Sequence, residues 1–241
     1  MSTDATRVEA FAEHLAALKR EGAAVLVRAD PRAEDAACHR LLGEPGLDRR
    51  HVLVSTASTE RTLSRYEPRE TESHRLGVVD ASGGRYTRSA AAATPTASDM
   101  QTGAEATPSW QTTVDGPTEF SAILDAVDDH VERLFPATDA IGPGELRVCL
   151  DNLDALLDAV DGDEATEEDV FTFLHVLTNR VREHGGLVHV HVSAGIADSL
   201  VARYEPLFDA TVDAETGPGG RVRQKWRLLD VGLESAWLTL D

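Results

Sequence analysis

The chain has 241 residues, enough for one large domain with a full core or for two small ones. It carries 42 acidic against 23 basic residues, a formal charge of −19. That balance excludes a direct nucleic-acid partner, because a phosphate backbone needs a basic face. No stretch of about 18 apolar residues occurs, so no membrane-spanning helix is expected.

Lys19 and Lys225 are the only lysines, the remaining basic residues being Arg, and aromatic residues make up 5%. Abundant acid with scarce Lys suits a protein kept soluble in concentrated salt, where self-repulsion is screened, so a halophilic source is expected. The opening residues are polar and lack the apolar core of a signal peptide. Cys38 and Cys149 sit in apolar contexts and read as reduced core residues. A cytoplasmic protein is expected.

Residues 6–21 open with Thr6-x-x-Glu9, a capping-box pattern, and place Val8, Phe11, Leu15 and Leu18 on one helical stripe, with Gly22 as the stop. Ala23 to Arg28 is a short buried strand. Ala29 to Leu42 then reads as a helix with Asp30 as its cap and Pro31 at its first position. His51 to Ser55 is a second strand, followed by a helix through Thr62, Leu63 and Tyr66. Leu76 to Asp80 is a third, closing on Asp80-Ala-Ser-Gly-Gly84, an ordinary strand-end turn that can also touch a ligand. Strands alternating with helices at this spacing indicate βαβ units and a parallel sheet.

From Arg85 to about Gly116 periodicity is lost, and residues 85–117 are expected to be a mobile loop or insertion. Phe120, Ile123, Leu124, Val127, Val131 and Leu134 share a helical face that Pro136 ends. Gly142-Pro-Gly144 turns the chain into Leu146–Leu150, apolar enough for a strand buried on both faces. That strand stops at Asp151, where Leu153, Leu156, Leu157 and Val160 begin a helix. An acid at that point is either a nucleotide-site Asp that positions Mg²⁺ or the cap of the next helix. Thr166 caps a helix bearing Val170, Phe173, Leu174, Leu177 and Val181, stopped by Gly185-Gly186. Leu187 to Val192 is another strand, and a short helix near 196–204 follows it.

The end of the chain alternates: Phe208–Glu215, a Gly/Pro turn, then Arg221-Val-Arg-Gln-Lys-Trp-Arg-Leu, which makes an antiparallel hairpin. Ser235–Leu240 reads as a final edge strand. Arg221, Arg223, Lys225 and Arg227 lie on one face of the second hairpin strand, as a phosphate or partner contact or as a salt ladder. With 216–220 as the loop, the ladder pairs Glu215 with Arg221, Asp213 with Arg223 and Asp209 with Arg227. His189 and His191 share a strand face and could ligate a metal, but the sequence forces no further ligand beside them, so no metal is assigned. His175 reads as a packed helix residue, and no Ser-His-Asp or Cys-His set can be assembled from sequence.

This order of elements around Asp151-Asn152-Leu153 resembles the RecA-type fold of the KaiC/GvpD family of ATPases. A haloarchaeal offshoot of that family, a domain of unknown function, is more similar still. The shared phrases are Asp151-Asn-Leu-x-x-Leu-Leu157, Phe171-x-Phe-Leu-His-Val-Leu177, Gly186-Leu-Val-His-Val-His191, Leu207-Phe-Asp209 and Gln224-x-Trp226, and the resemblance covers about residues 20–240. It implies one three-layer α/β domain over residues 1–241, with a mostly parallel sheet and a C-terminal hairpin. It also implies a vestigial nucleotide site at Asp151 and Asn152, and a basic hairpin that approaches a neighbour's nucleotide.

The phosphate loop of such ATPases, Gly-x-x-x-x-Gly-Lys-Ser/Thr, is absent. Ala29-Asp-Pro-Arg-Ala-Glu-Asp-Ala-Ala37 stands there, without Gly, Lys or hydroxyl. The expectation is therefore a non-catalytic ATPase-fold protein without cofactor, a regulatory or scaffolding partner of another protein and a possible homo-oligomer. The alternatives are an ATP/Mg²⁺- or phosphate-responsive switch using Asp151 and the basic hairpin, and a small-molecule enzyme on a doubly wound sheet.

Overall fold

The computed structural model describes residues 3–44, 47–65, 74–83, 108–136 and 140–240. Its helices are α1 (Thr3–Glu21), α2 (Glu34–Leu42), α3 (Thr59–Arg65), α4 (Phe120–Leu134), α5 (Asp154–Asp161), α6 (Glu167–Glu183) and α7 (Asp198–Tyr204). Its strands are β1 (Ala23–Ala29), β2 (Arg50–Ser55), β3 (Leu76–Asp80), β4 (Gln111–Thr113), β5 (Leu146–Asp151), β6 (Leu187–Ser193), β7 (Ala210–Thr216), β8 (Val222–Leu228), β9 (Leu233–Glu234) and β10 (Leu238–Thr239). They form one sheet in the order β10-β8-β7-β1-β6-β5-β2-β3-β4, with β9 also on β8. From β7 to β4 every pairing is parallel, and β8 pairs antiparallel with β7, β9 and β10. This is the expected RecA-like three-layer α/β architecture with a C-terminal hairpin.

The central strands are apolar throughout because helices cover both faces. Leu26, Val148, Leu150, Val188 and Val190 face α4, α5, α6 and α7, where Ile123, Leu156, Phe173 and Leu177 complete the larger core. Phe173 stacks on Phe120 with ring centroids 5.0 Å apart. On the opposite face Val25 and Val27 meet Ala33 and, from α2, Ala37 and Leu41, with Phe11, Leu15 and Leu18 of α1 packed alongside. A neighbouring cluster joins Cys38, Leu42, Leu53, Leu76, Val78 and Cys149, with Leu63 of α3 against it. The crossover from β1 reaches β2 beyond β6 and β5, whereas that from β6 reaches β7 on the other side of β1. The carboxyl ends of β1, β5 and β6 thus gather at the point where such sheets open a crevice.

Several local signals act as expected. Thr166 Oγ1 accepts from Asp169 N at 3.1 Å while the Asp169 carboxylate accepts from Thr166 N at 3.0 Å, a reciprocal cap at the start of α6. Gly22 adopts φ +89°, and any Cβ there would meet the Arg182 and Gly186 backbone within 3.2 Å, which ends α1 sharply.

Four expectations need correction, and one is His175, which is exposed on α6 and not packed. Helix α1 begins at Thr3, so Thr6 lies inside it and caps nothing, and Val8 is 66% exposed because the first turns extend beyond the surface that Phe11 and Leu15 pack against. Helix α2 begins only at Glu34, after a turn in which the Asp30 carboxylate accepts from Arg32 N and Ala33 N, both at 2.8 Å. Pro31 is therefore in that turn and not in the helix.

The segment expected to be a loop contains β4, which pairs with the edge of β3, Val78 N donating to Trp110 O at 2.8 Å. Three residues without alternation carry no strand signal; the unpaired backbone of β3 supplies it. Residues 84–107 and Tyr66 lie outside the described residues. Among the described residues no helix is long and apolar enough to cross a membrane.

Candidate functional site

The crevice at the strand ends is built from the turn after β1, the end of β5, the loop after β2 and helix α3. Asp151, the last residue of β5, is 4% exposed. Thr62 of α3, itself 2% exposed, donates its hydroxyl to Asp151 Oδ2 at 2.7 Å. Asn152 is tied to the loop after β2: its amide donates to Thr56 Oγ1 at 2.8 Å, and that hydroxyl donates to Asn152 O at 2.6 Å. The Asn152 side chain accepts from Ala155 N at 3.3 Å, just before α5, whose N-cap residue Leu153 supplies no side-chain bond. Glu34 and Arg61 join across the same crevice at 2.8 Å.

The turn after β1 is filled from within. Asp30 turns its carboxylate back into its own loop, where Oδ1 accepts from Arg32 N and Ala33 N and Oδ2 from Thr216 N at 2.6 Å. The Thr216 hydroxyl adds a bond of 3.3 Å, and Glu34 N is taken by Asp30 O at 3.1 Å. Pro31 contributes no donor. Desolvation pushes the Asp30 carboxyl upward, but the bonds from Thr216, Ala33 and Arg32 together outweigh it and hold the group below its ordinary value. Backbone amides that would cradle a phosphate in a nucleotide site are here spent on a carboxylate of the chain itself.

The basic stripe is paired as well, in a register two residues away from the expected one. The turn runs from Gly217 to Arg221, closed by Gly217 N to Arg221 O at 2.8 Å, which sets Glu215 opposite Arg223, Asp213 opposite Lys225 and Thr211 opposite Arg227. A shift of two keeps every side chain on its face, so alternation cannot detect it. Arg223 forms its ion pair with Glu215 and lies over the Trp237 ring at 4.5 Å. Lys225 pairs with Glu234 at 2.5 Å and Arg227 with Glu205 at 2.6 Å, while Arg221 stays exposed at the turn. Each of these half-exposed pairs contributes about 0.2–1 kcal/mol. A cleft of about 340 Å³ beside them is lined by the pairs Arg28–Asp198, Arg227–Glu205 and Lys225–Glu234 and by Asp213.

Residues 22–214 match a protein family described as "Family of unknown function (DUF7504)". The chain belongs to the DUF7504 family. A search of curated proteins found no match. The matched span of this DUF7504 chain runs from the start of β1 nearly to the end of β7, so it includes the Asp30 turn and Asp151 and stops before the basic strand β8.

The DUF7504 chain also holds a constellation that its sequence separates widely. His189 and His191 do share one face of β6, as their spacing requires. The register of β5 on β6 places Cys149 beside His189, and Cys38 of α2 comes down onto both. Cys38 Sγ lies 3.8 Å from Cys149 Sγ and 3.5 Å from His189 Nε2. One ligand atom from each of the four residues falls within 4.8 Å of the others. The hydrogen bond with Cys149 draws the Cys38 thiol well below its ordinary value, against the upward push of burial, with His189 and His191 acting in the same direction as Cys149. Burial holds His189 below its ordinary value and so in the neutral form. Chain-order reading missed both cysteines as members of this group, since neither stands near the histidines in sequence.

Proposed function

We propose that this chain is a non-catalytic, KaiC-like ATPase-fold protein that has given up nucleotide binding and acts as a regulatory or scaffolding partner of another protein in the cytoplasm. The observation that carries the reading is the Asp30 carboxylate, which takes the amides of the loop after β1 and the amide of Thr216. A triphosphate entering there would displace those bonds and face Asp30, Glu34 and Asp35. Like charges about 4 Å apart repel by on the order of 1 kcal/mol each even in water. Thr62 covers the acid that would otherwise hold Mg²⁺, and the ion would find no loop hydroxyl to complete its shell.

The expected result is no hydrolysis of ATP or GTP and no millimolar-or-better affinity for either with Mg²⁺ present. Calorimetric titration of the wild type and of Asp151→Ala in high salt checks it. Micromolar binding that disappears in the variant would overturn the reading in favour of a nucleotide-responsive switch.

The charge of −19 supports a source with a saline cytoplasm. Repulsion among acidic neighbours is screened within about 10 Å at 0.1 M salt and more tightly above it. The melting midpoint should therefore rise between dilute buffer and molar potassium chloride, and a midpoint indifferent to salt would remove the halophile from the proposal.

A further inference from the structure

We infer that Cys38, Cys149, His189 and His191 form a closed structural zinc site that fastens α2 to the centre of the sheet. The inference is independent of the nucleotide reading and concerns the middle of α2, where Cys38 stands, and not the Asp30 turn that precedes the helix.

Geometry carries it. A tetrahedral zinc ion with bonds of about 2.3 Å to sulfur and about 2.0–2.1 Å to nitrogen holds two sulfurs about 3.8 Å apart, and a sulfur and a nitrogen about 3.6 Å apart. The two separations observed are 3.8 Å for Cys38 Sγ to Cys149 Sγ and 3.5 Å for Cys38 Sγ to His189 Nε2. They are edges of that tetrahedron. The fourth residue, His191, has its ring centroid 5.1 Å from that of His189 and nearly perpendicular to it. With every separation at or under 4.8 Å, small side-chain rotations bring all four donors onto one centre.

The donor set and its surroundings agree on the ion. Two thiolates and two imidazoles at tetrahedral spacing suit zinc and leave no position for water or substrate, which marks a structural site. Cys38 and Cys149 are 1% exposed, and His189 and His191 are fully buried. Two thiolates cancel the charge of a divalent cation, so the occupied site is neutral overall and compatible with the surrounding Leu42, Leu53 and Val78. The ligands come from α2, β5 and β6, elements that the sheet and its crossovers bring together, so the site would form only with the fold and would stabilise it.

Elemental analysis of the full chain, purified with reductant, tests this directly. One equivalent of zinc per chain is expected. After removal of zinc by chelation, Co²⁺ alone should restore a thiolate-bound tetrahedral spectrum with sulfur-to-cobalt charge transfer. X-ray absorption should report two sulfur and two nitrogen neighbours. Cys149→Ala and His191→Gln should each weaken cobalt uptake at least tenfold, with secondary structure checked by circular dichroism. Should either variant fail to fold, the wild-type stoichiometry and ligand shell decide alone. The inference is overturned if reduced wild-type protein takes up neither ion, if the shell contains no sulfur, or if Cys38 and Cys149 are joined as a disulfide in protein alkylated without reductant.

Discussion

Asp209→Ala is expected to lower the free energy of unfolding by about 2–3 kcal/mol, a large share of the stability of a single chain. One carboxylate oxygen, Asp209 Oδ2, accepts from Ala24 N at 2.7 Å and from Arg182 Nε at 3.0 Å. The same guanidinium donates to Leu207 O at 2.8 Å and to Asn179 Oδ1 at 3.2 Å. Asp209 thereby ties the start of β1, the last turns of α6 and the entry to β7 into one polar joint. Its side chain is 20% exposed and that of Arg182 26%, so truncation leaves a cation and an amide partly desolvated without their acceptor. Chemical denaturation of Asp209→Ala, Arg182→Ala and the double variant measures the coupling. Additive losses, or a single loss below about 0.5 kcal/mol, would show that the joint is not formed in solution.

Acid should begin to weaken the fold near pH 6.5, before ordinary carboxylates titrate. Burial, aided by Arg147 and Arg49 and opposed by a bond to Leu42 O, lowers the pKa of His51 from 6.5 to about 4. Burial and the neighbouring Arg133 also hold His130 below 6.5. Above 6.5 these groups are neutral in both the folded and the unfolded chain and leave stability unchanged. As the pH falls from 6.5 towards 4, the unfolded chain takes up protons that folded His51 refuses, so stability is lost across that window. For His51 alone the loss is on the order of 2–3 kcal/mol by the bottom of the window. Asp30, whose carboxyl is held below 3.8, contributes in a separate, more acidic window and cannot mimic it. Unfolding free energies of the wild type and His51→Gln across the window check this, and parallel curves for the two proteins would refute the assignment to His51.

Much of the architecture was legible because local physics and the fold agree. The runs at Ala23–Arg28, Leu76–Asp80 and Leu146–Leu150 are apolar in a way that suits strands covered on both faces, and they form β1, β3 and β5. Thr166, Gly22 and Gly185-Gly186 end or start helices by backbone chemistry confined to a few residues, so the sequence alone locates them. The missing phosphate loop was equally plain, since a Lys and glycines that are absent need no structure to be missed. Where local signals failed, a partner distant in sequence decided. Thr6 has the residues of a cap but lies inside α1, and β4 exists because β3 offers it an edge.

What the sequence by itself determined, then, is the order of strands and helices, the net acidic charge, the absence of a phosphate-loop motif after β1 and the shared face of His189 and His191. Tertiary structure alone decided three things. It slid the hairpin by two residues, a change invisible to a period of two, so that Arg223 meets Glu215 and not Asp213. It sent the Asp30 carboxylate into its own turn and onto Thr216, which lies 186 residues away in the chain. And it set Cys149 beside His189 through the register of β5 on β6, then laid Cys38 over both from α2. Sequence patterns report only what recurs along the chain, whereas a four-residue centre depends on strand register and on the angle at which a helix crosses the sheet.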